Sequence, residues 1–225
     1  MTADTLAAVG DAVVACRSCP RLVAWREQVA RDKRAAYADW DYWGRPVPGF
    51  GDPDASVVVV GLAPAAHGAN RTGRMFTGDR SGDFLYGSLY RTGFATHPTS
   101  RHRGDDQRLV DCWITAAVRC APPQNRPTPA ERDRCRPFLE RELALLPARV
   151  LVALGAFAWD VLVRMLGPVR PKPVFGHRAT TTVGGYVLLG SYHPSQQNTF
   201  TGRLTPAMLD DVFIRARKLA DADGG

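Results

Sequence analysis

Four consecutive valines, Val57 to Val60, run directly into GLAPAAHGANRTGRMFTGD at residues 61–79. A β-branched run with no polar alternation has to be buried on both faces, which is the situation of an inner parallel strand. A glycine-rich loop leaving the carboxyl end of such a strand lies where open α/β sheets bind ligands. This loop carries one aromatic ring, Phe76, and one carboxylate, Asp79. Gly61, Gly68, Gly73 and Gly78 permit tight turns and close approach of backbone to a flat ligand. A stacking face, backbone N–H donors and a candidate base therefore share one segment.

The remaining pattern continues the alternation of strand and helix. Short apolar runs at Trp113–Val118, Val150–Leu154 and Val187–Ser191 read as strands, with helical periodicity at residues 128–146 and 156–166 between them. Residues 4–15 and the segment opening at Pro20 read as helices, the proline standing at a first-turn position. Ser81 to Thr92 has the helical period with Phe84, Leu85, Leu89 and Tyr90 on the inward side, which puts Asp79 at that helix's N-terminus. A closing helix is expected over Leu204–Ala220, with Pro206 near its start. Tyr37–Gly51 reads as an ordered aromatic loop, residues 96–108 as an arginine-rich loop, and residues 221–225 as a disordered tail. The order predicts one α/β domain over residues 1–225, a doubly wound parallel sheet in a three-layer α/β/α arrangement.

With 225 residues, 45% of them hydrophobic, the chain can bury one substantial core. Lys and Arg outnumber Asp and Glu by 29 to 22, a basic balance that suits a polyanionic partner. No apolar run approaches the roughly 20 residues of a spanning helix. MTADTLAAVGDAVVAC lacks the basic start of a signal peptide, so no membrane association and a cytoplasmic location are expected. In that compartment the five cysteines are reduced, and they read as ligands or buried apolar residues rather than disulfides.

Cys16 and Cys19 form a C-x2-C pair, and Cys120 and Cys135 bracket a proline-rich loop. Four such thiolates suit zinc or an iron–sulfur cluster; because the C-x2-C knuckle is not repeated, the spacing leans toward the cluster. Cys112 reads as a core residue. After the last strand, HPSQQNTFTGRLTP at residues 193–206 places His193 at a strand's carboxyl end. Ser195, Gln197, Asn198 and Arg203 follow it, an inventory that grips phosphates. His67 lies within the glycine-rich loop; the other histidines lack a comparable setting.

Together, GLAPA…NRTGRMFTGD, the HPS…N…TGR segment and the C-x2-C…C-x14-C framework resemble a family 5 (type B) uracil-DNA glycosylase over nearly the whole chain. The resemblance implies a central four-stranded parallel sheet between helices and a structural 4Fe-4S cluster on Cys16, Cys19, Cys120 and Cys135. It also implies removal of uracil and other deaminated bases, hypoxanthine among them, from DNA by a monomer. Two departures separate the chain from the related family 4 pattern. The glutamate of a GE-x-PG motif is absent, the matching stretch being Gly61, Leu62, Ala63, Pro64 and Ala65; in ITAAVRC, Ala116 stands where a TN-x-x-K-C pattern has asparagine.

A flipped base is then expected to stack on Phe76, bordered by Gly61 to Ala65, with His193 as donor to the departing ring oxygen. Asp79 is the carboxylate left to orient water, its competing role being a helix cap. Loss of the edge-reading asparagine predicts loose base choice. DNA contacts are expected from Arg71, Arg74, Ser195, Gln197, Asn198 and Arg203, with the Arg101–Arg103 loop as a weaker candidate. Either Gln197 or Asn198 is expected to fill the gap left by the extruded base. The alternatives are a non-catalytic nucleic-acid-binding protein that keeps fold and cluster, and a zinc-stabilised hydrolase of a small substrate, for which no G-x-S-x-G, Walker or H-E-x-x-H motif speaks.

Overall fold

The computed structural model describes residues 4–222. Two helices, α1 (Leu6–Ala15) and α2 (Pro20–Asp32), lead through the short strand β1 (Phe50–Gly51) into β2 (Val57–Gly61). The glycine-rich loop holds the single turn α3 (Ala69–Thr72) and delivers the chain to α4 (Arg80–Arg91). Then come β3 (Cys112–Ala116), α5 (Pro129–Leu145), β4 (Val150–Leu154) and α6 (Ala156–Leu166). The hairpin β5 (Thr180–Val183) and β6 (Tyr186–Ser191) precedes α7 (Gln196–Phe200) and α8 (Pro206–Ala222).

Six strands form one sheet in the order β1-β3-β2-β4-β6-β5. The middle four, β3, β2, β4 and β6, are parallel, as expected, and β1 and β5 flank them antiparallel. The valine run explains itself in the layers. Val57 and Val59 face one side, with Leu85 and Leu89 of α4 and Leu209, Val212 and Phe213 of α8. Val58 and Val60 face the other, with Leu139 and Leu143 of α5 and Trp159 and Leu162 of α6. Alternation along β2 thus supplies both cores from four identical residues.

Several expectations need correction. The third-cysteine strand ends at Ala116 rather than Val118, because after the Gly61–Ala116 pair the chain continues as a loop, with Ala117 and Val118 N–H groups donating to Gly61 and Leu62 carbonyls. The edge strands went unread: β1 is two residues long, and β5 is polar, although the Gly184–Gly185 turn between two runs is a hairpin signal. Tyr90 is exposed rather than inward. Leu204 is buried but lies ahead of α8, which begins at Pro206 and carries Asp221 and Ala222; the rest of the expected tail, residues 223–225, lies outside the described residues. Among the described residues no helix is long and apolar enough to cross a membrane.

One polar device sits inside the sheet–helix interface. Arg119 just beyond β3 and Glu142 on α5 are both buried and joined by two bonds of 2.9 and 2.6 Å, while Thr115 Oγ1 donates to Glu142 Oε2 at 2.7 Å.

Candidate active site

The carboxyl ends of the parallel strands gather on one edge, and the loops leaving β2 and β6 enclose a cavity of about 270 Å³ there. Leu62, Ala63, Pro64, Ala65, Ala69, Met75 and Phe76 supply its apolar walls, and Asp79, Ser81, Asn125, His193 and Ser195 its polar groups. The two motifs widely separated in sequence therefore meet.

Phe76 is held in the left-handed backbone region, at φ +51°. Its ring lies against the backbone of Gly61, where an added Cβ would come within 2.8 Å of Phe76 Cζ, so the strand has to end in glycine for the ring to lie flat over it. Across the cavity the His193 ring is 5.9 Å from Phe76, centroid to centroid, tilted by 35°. His193 is fixed from behind: Asn198 Nδ2 donates to its carbonyl at 2.8 Å, and its Cβ packs toward Gly155. Burial pushes the imidazole pKa down to about 4, so at neutral pH the ring is uncharged and can donate one hydrogen bond.

Asp79 is the N-cap of α4, its Oδ1 accepting from Gly82 N at 2.9 Å. The second oxygen, Oδ2, lies against Gly68, where any Cβ would overlap it. Burial raises the Asp79 pKa above the ordinary carboxylate value, opposed by the N–H groups of Gly82 and Ser81. Capping and chemistry are thus compatible, since the cap engages one oxygen and the residue still lines the cavity.

Arg71 and Arg74, expected at a DNA face, are both buried. Arg71 donates from Nε to His67 O at 2.8 Å and from Nη2 to Gly78 O at 2.6 Å, with its guanidinium between the rings of Tyr37 and Trp40 at 3.9 and 4.0 Å. Arg74 bonds Ser100 Oγ at 2.9 Å, Asp105 and the Arg103 carbonyl, and stacks on Phe50. These arginines tie the glycine-rich loop to the Tyr37–Gly51 and 96–108 loops. His67 belongs to the same framework, its Nδ1 3.0 Å from Tyr42 Oη. By contrast, Gln197 and Arg203 are exposed, Asn198 is half-buried behind His193, and Ser195 is on the cavity wall.

Asn125 escaped sequence reasoning. It sits in the loop between Cys120 and Cys135 at φ +56°, a conformation asparagine tolerates, and lines the same cavity as Asp79. The sequence marks this stretch only as the proline-rich loop bracketed by Cys120 and Cys135. Ala116, expected beside the base, is buried at the end of β3 in register with Gly61.

Cys16, Cys19, Cys120 and Cys135 line a second, smaller cavity together with Leu22, Arg119 and Phe138. Cys16 ends α1 and Cys19 begins α2, so the C-x2-C turn is made by two helix termini. Arg26 Nη1 donates to Cys120 Sγ at 3.3 Å and Arg119 N to Cys135 Sγ at 3.2 Å. Burial pushes the Cys120 thiol up to about 12 and Cys135 to about 11. Among the described residues no three His, Cys, Asp or Glu side chains close in tightly enough for a single metal ion. Cys112 is buried within β3, away from this set. Ala63 packs on the cysteine cluster and also lines the main cavity, and Asn70 Nδ2 donates to the Arg26 carbonyl at 3.2 Å. The cysteine site thereby supports the glycine-rich loop.

The sequence profile of the uracil DNA glycosylase superfamily matches residues 48–217. The chain is 57% identical to a type-5 uracil-DNA glycosylase of Mycobacterium bovis over 97% of its own length and 83% of the relative's. It is 53% identical to the type-5 enzyme of Thermus thermophilus over 92% and 95% of the two chains. Similarity to a type-4 uracil-DNA glycosylase of Pyrobaculum aerophilum is lower, 34% over 68% and 74%.

Proposed function

Because the chain belongs to the uracil DNA glycosylase superfamily, with its high identity to the type-5 enzymes, we propose that it excises uracil from DNA by hydrolysing the N-glycosidic bond. The observation that carries this reading is the convergence of Phe76, Asp79 and His193 on one small cavity at the sheet's carboxyl edge. Extruding a base from the duplex costs a few kcal/mol, less when the base is mispaired, as a deaminated base is. The flipped pyrimidine stacks on Phe76 between Leu62 and Ala65. As the C1′–N1 bond breaks, its electron pair moves into the ring and charge develops on the base oxygen. Neutral His193 donates to that oxygen, and a preorganised donor in a dry cavity acts mainly on the transition state. Asp79, which shares the cavity with Asn125, orients the water that adds to C1′ and takes its proton; the carboxylate also offsets positive charge on the sugar.

His193→Ala is expected to lower the single-turnover rate on a uracil-containing oligonucleotide by about 10²–10³-fold, the effect of removing one such donor. A rate close to wild type would remove His193 from the chemistry. Leu62, Ala63, Pro64 and Ala65 offer the base few polar side chains, which supports broad base choice. A panel of uracil, hypoxanthine and xanthine oligonucleotides checks it; cleavage of uracil alone contradicts it.

We further propose that Cys16, Cys19, Cys120 and Cys135 hold a structural 4Fe-4S cluster. A tetrahedral zinc, with Zn–S near 2.3 Å, needs its sulfurs about 3.8 Å apart. Four sulfurs around one cavity, from a framework whose C-x2-C knuckle is not repeated, support the larger group. The N–H donors from Arg26 and Arg119 suit anionic sulfur. Such a group would pin α1 and α2 to the sheet and play no part in bond cleavage. DNA contact is assigned to Ser195, Gln197 and Arg203, with Asn198 supporting His193. The basic balance of 29 to 22 suits a DNA partner.

A further inference from the structure

Among the described residues no protein group hydrogen-bonds the imidazole of His193; Asn198 holds its carbonyl. The aim of the ring is therefore set by packing and by the backbone that carries it. That backbone is held at Tyr192, the residue before it. β6 ends at Ser191, whose carbonyl accepts from Gly155 N at 2.8 Å and whose Oγ donates to the Tyr192 carbonyl at 3.0 Å. The Tyr192 N–H donates to His177 Nδ1 at 3.3 Å. The Tyr192 ring stacks on the His177 imidazole, with 5.0 Å between centroids and 26° between planes, and the Arg203 guanidinium lies 4.5 Å from the same ring.

His177 is itself placed by a tight turn between α6 and β5. Ala179 N donates to Gly176 O at 3.2 Å, and Arg178 takes φ +63°. A non-glycine residue keeps that conformation only where its surroundings hold it. Here the turn lies flat on β6: Arg178 N donates to Gly190 O at 2.7 Å and Gly190 N to Ala179 O at 2.8 Å. A Cβ on Gly190 would come within 2.4 Å of Gly176 O, so the close approach needs glycine in the strand. Because Nδ1 accepts from a backbone N–H, the ring proton of His177 sits on Nε2. Burial, reinforced by Arg178 and opposed by Asp211, holds this imidazole below its ordinary pKa, which leaves the Nδ1 lone pair free to accept at neutral pH.

Resting on the base-excision reading, we infer that His177 is a positioning residue for His193: by fixing the peptide and ring of Tyr192, it aims the next imidazole into the cavity. His177 is not on the cavity wall, so its effect reaches the base only through His193.

The test uses His177→Ala, His177→Asn and His177→Gln. Asparagine puts an oxygen acceptor where Nδ1 stands, whereas glutamine carries its amide one bond farther, at the place of Nε2. Single-turnover cleavage of a uracil-containing duplex should fall about tenfold in His177→Ala and His177→Gln, the loss of one hydrogen bond and of the placement it gives, and return in His177→Asn. Adding His177→Ala to His193→Ala should cost nothing further, since residues acting as one unit are not additive. The ring signals of His193 in 15N-histidine-labelled protein should move in His177→Ala and His177→Gln and recover in His177→Asn. An unchanged rate in His177→Ala, equal loss in all three variants, or a double variant whose losses multiply overturns the inference. If the wild type releases no uracil, the base-excision reading fails, and the His193 signals alone decide: unmoved signals in His177→Ala overturn the positioning role, and signals restored only by asparagine support it.

Discussion

Asp79→Asn is expected to slow base release by about 10²–10⁴-fold with no loss of folding stability at neutral pH. The two effects separate because the residue does two things with different atoms. Its Oδ1 caps α4 by accepting from Gly82 N, and an amide oxygen caps a helix as well as a carboxylate does. The negative charge serves the water and the sugar, and an amide supplies neither a base nor a counter-charge. Asp79→Ala would remove both, adding roughly 1 kcal/mol of lost capping to the loss of rate. Burial raises the pKa of Asp79 above 3.8, so the folded state binds this proton more tightly than the unfolded chain. Its contribution to stability is therefore unfavourable at neutral pH and is relieved as pH falls through the raised value. Activity follows the opposite sign, since the ionised form is the working one. The acid limb of the rate profile should lie above pH 3.8 and disappear in Asp79→Asn. His193, with its pKa near 4, should add no limb between about pH 5 and 8. A limb in that range that survives Asp79→Asn contradicts the assignment.

Glu142→Ala is expected to destabilise the protein by about 3–5 kcal/mol, the usual consequence of leaving one member of a buried ion pair alone. Arg119 would remain in the interface between β3 and α5 with two of its donors unpaired, and Thr115 Oγ1 would lose its acceptor. Unfolding in urea reads this as a lower midpoint with an unchanged slope. Replacing both partners, Arg119→Met with Glu142→Leu, should recover most of the loss, because two apolar side chains of similar length leave no charge unsatisfied. If the double replacement is no better than Glu142→Ala, the pair is doing more than neutralising itself. Arg119 also donates its backbone N–H to Cys135 Sγ, so the iron content and visible absorption that the proposed cluster would give should be followed in the variants alongside the midpoint.

The parts of this molecule legible in the sequence are those where one residue type has a single physical use. Four valines can be buried only between two helical layers, and a histidine following a strand end reaches the same edge as a loop following another strand. The cysteine spacing likewise pointed to one site, and the four side chains do line one cavity. What escaped depended on partners distant in sequence. Arg71 and Arg74 look like surface cations until Tyr37, Trp40, Phe50 and Ser100 are folded over them. Asn125 looks like a turn residue until its loop closes on the cavity. The edge strands are short or polar because they need to satisfy only one neighbour, so they carry little periodicity. Leu62, apolar where the family 4 pattern has glutamate, lines a cavity that retains Asp79, Asn125 and His193, and Ala116 is buried at the end of β3.

The central claim is that this cavity takes a base turned out of DNA and severs it from the sugar. The direct measurement is to incubate excess protein with duplex DNA carrying one uracil and to count free uracil against abasic sites in the same sample. Equal and complete release of both, slowed together in His193→Ala and in Asp79→Asn, is the predicted result. Tight binding of the uracil-containing duplex with every glycosidic bond intact would contradict it.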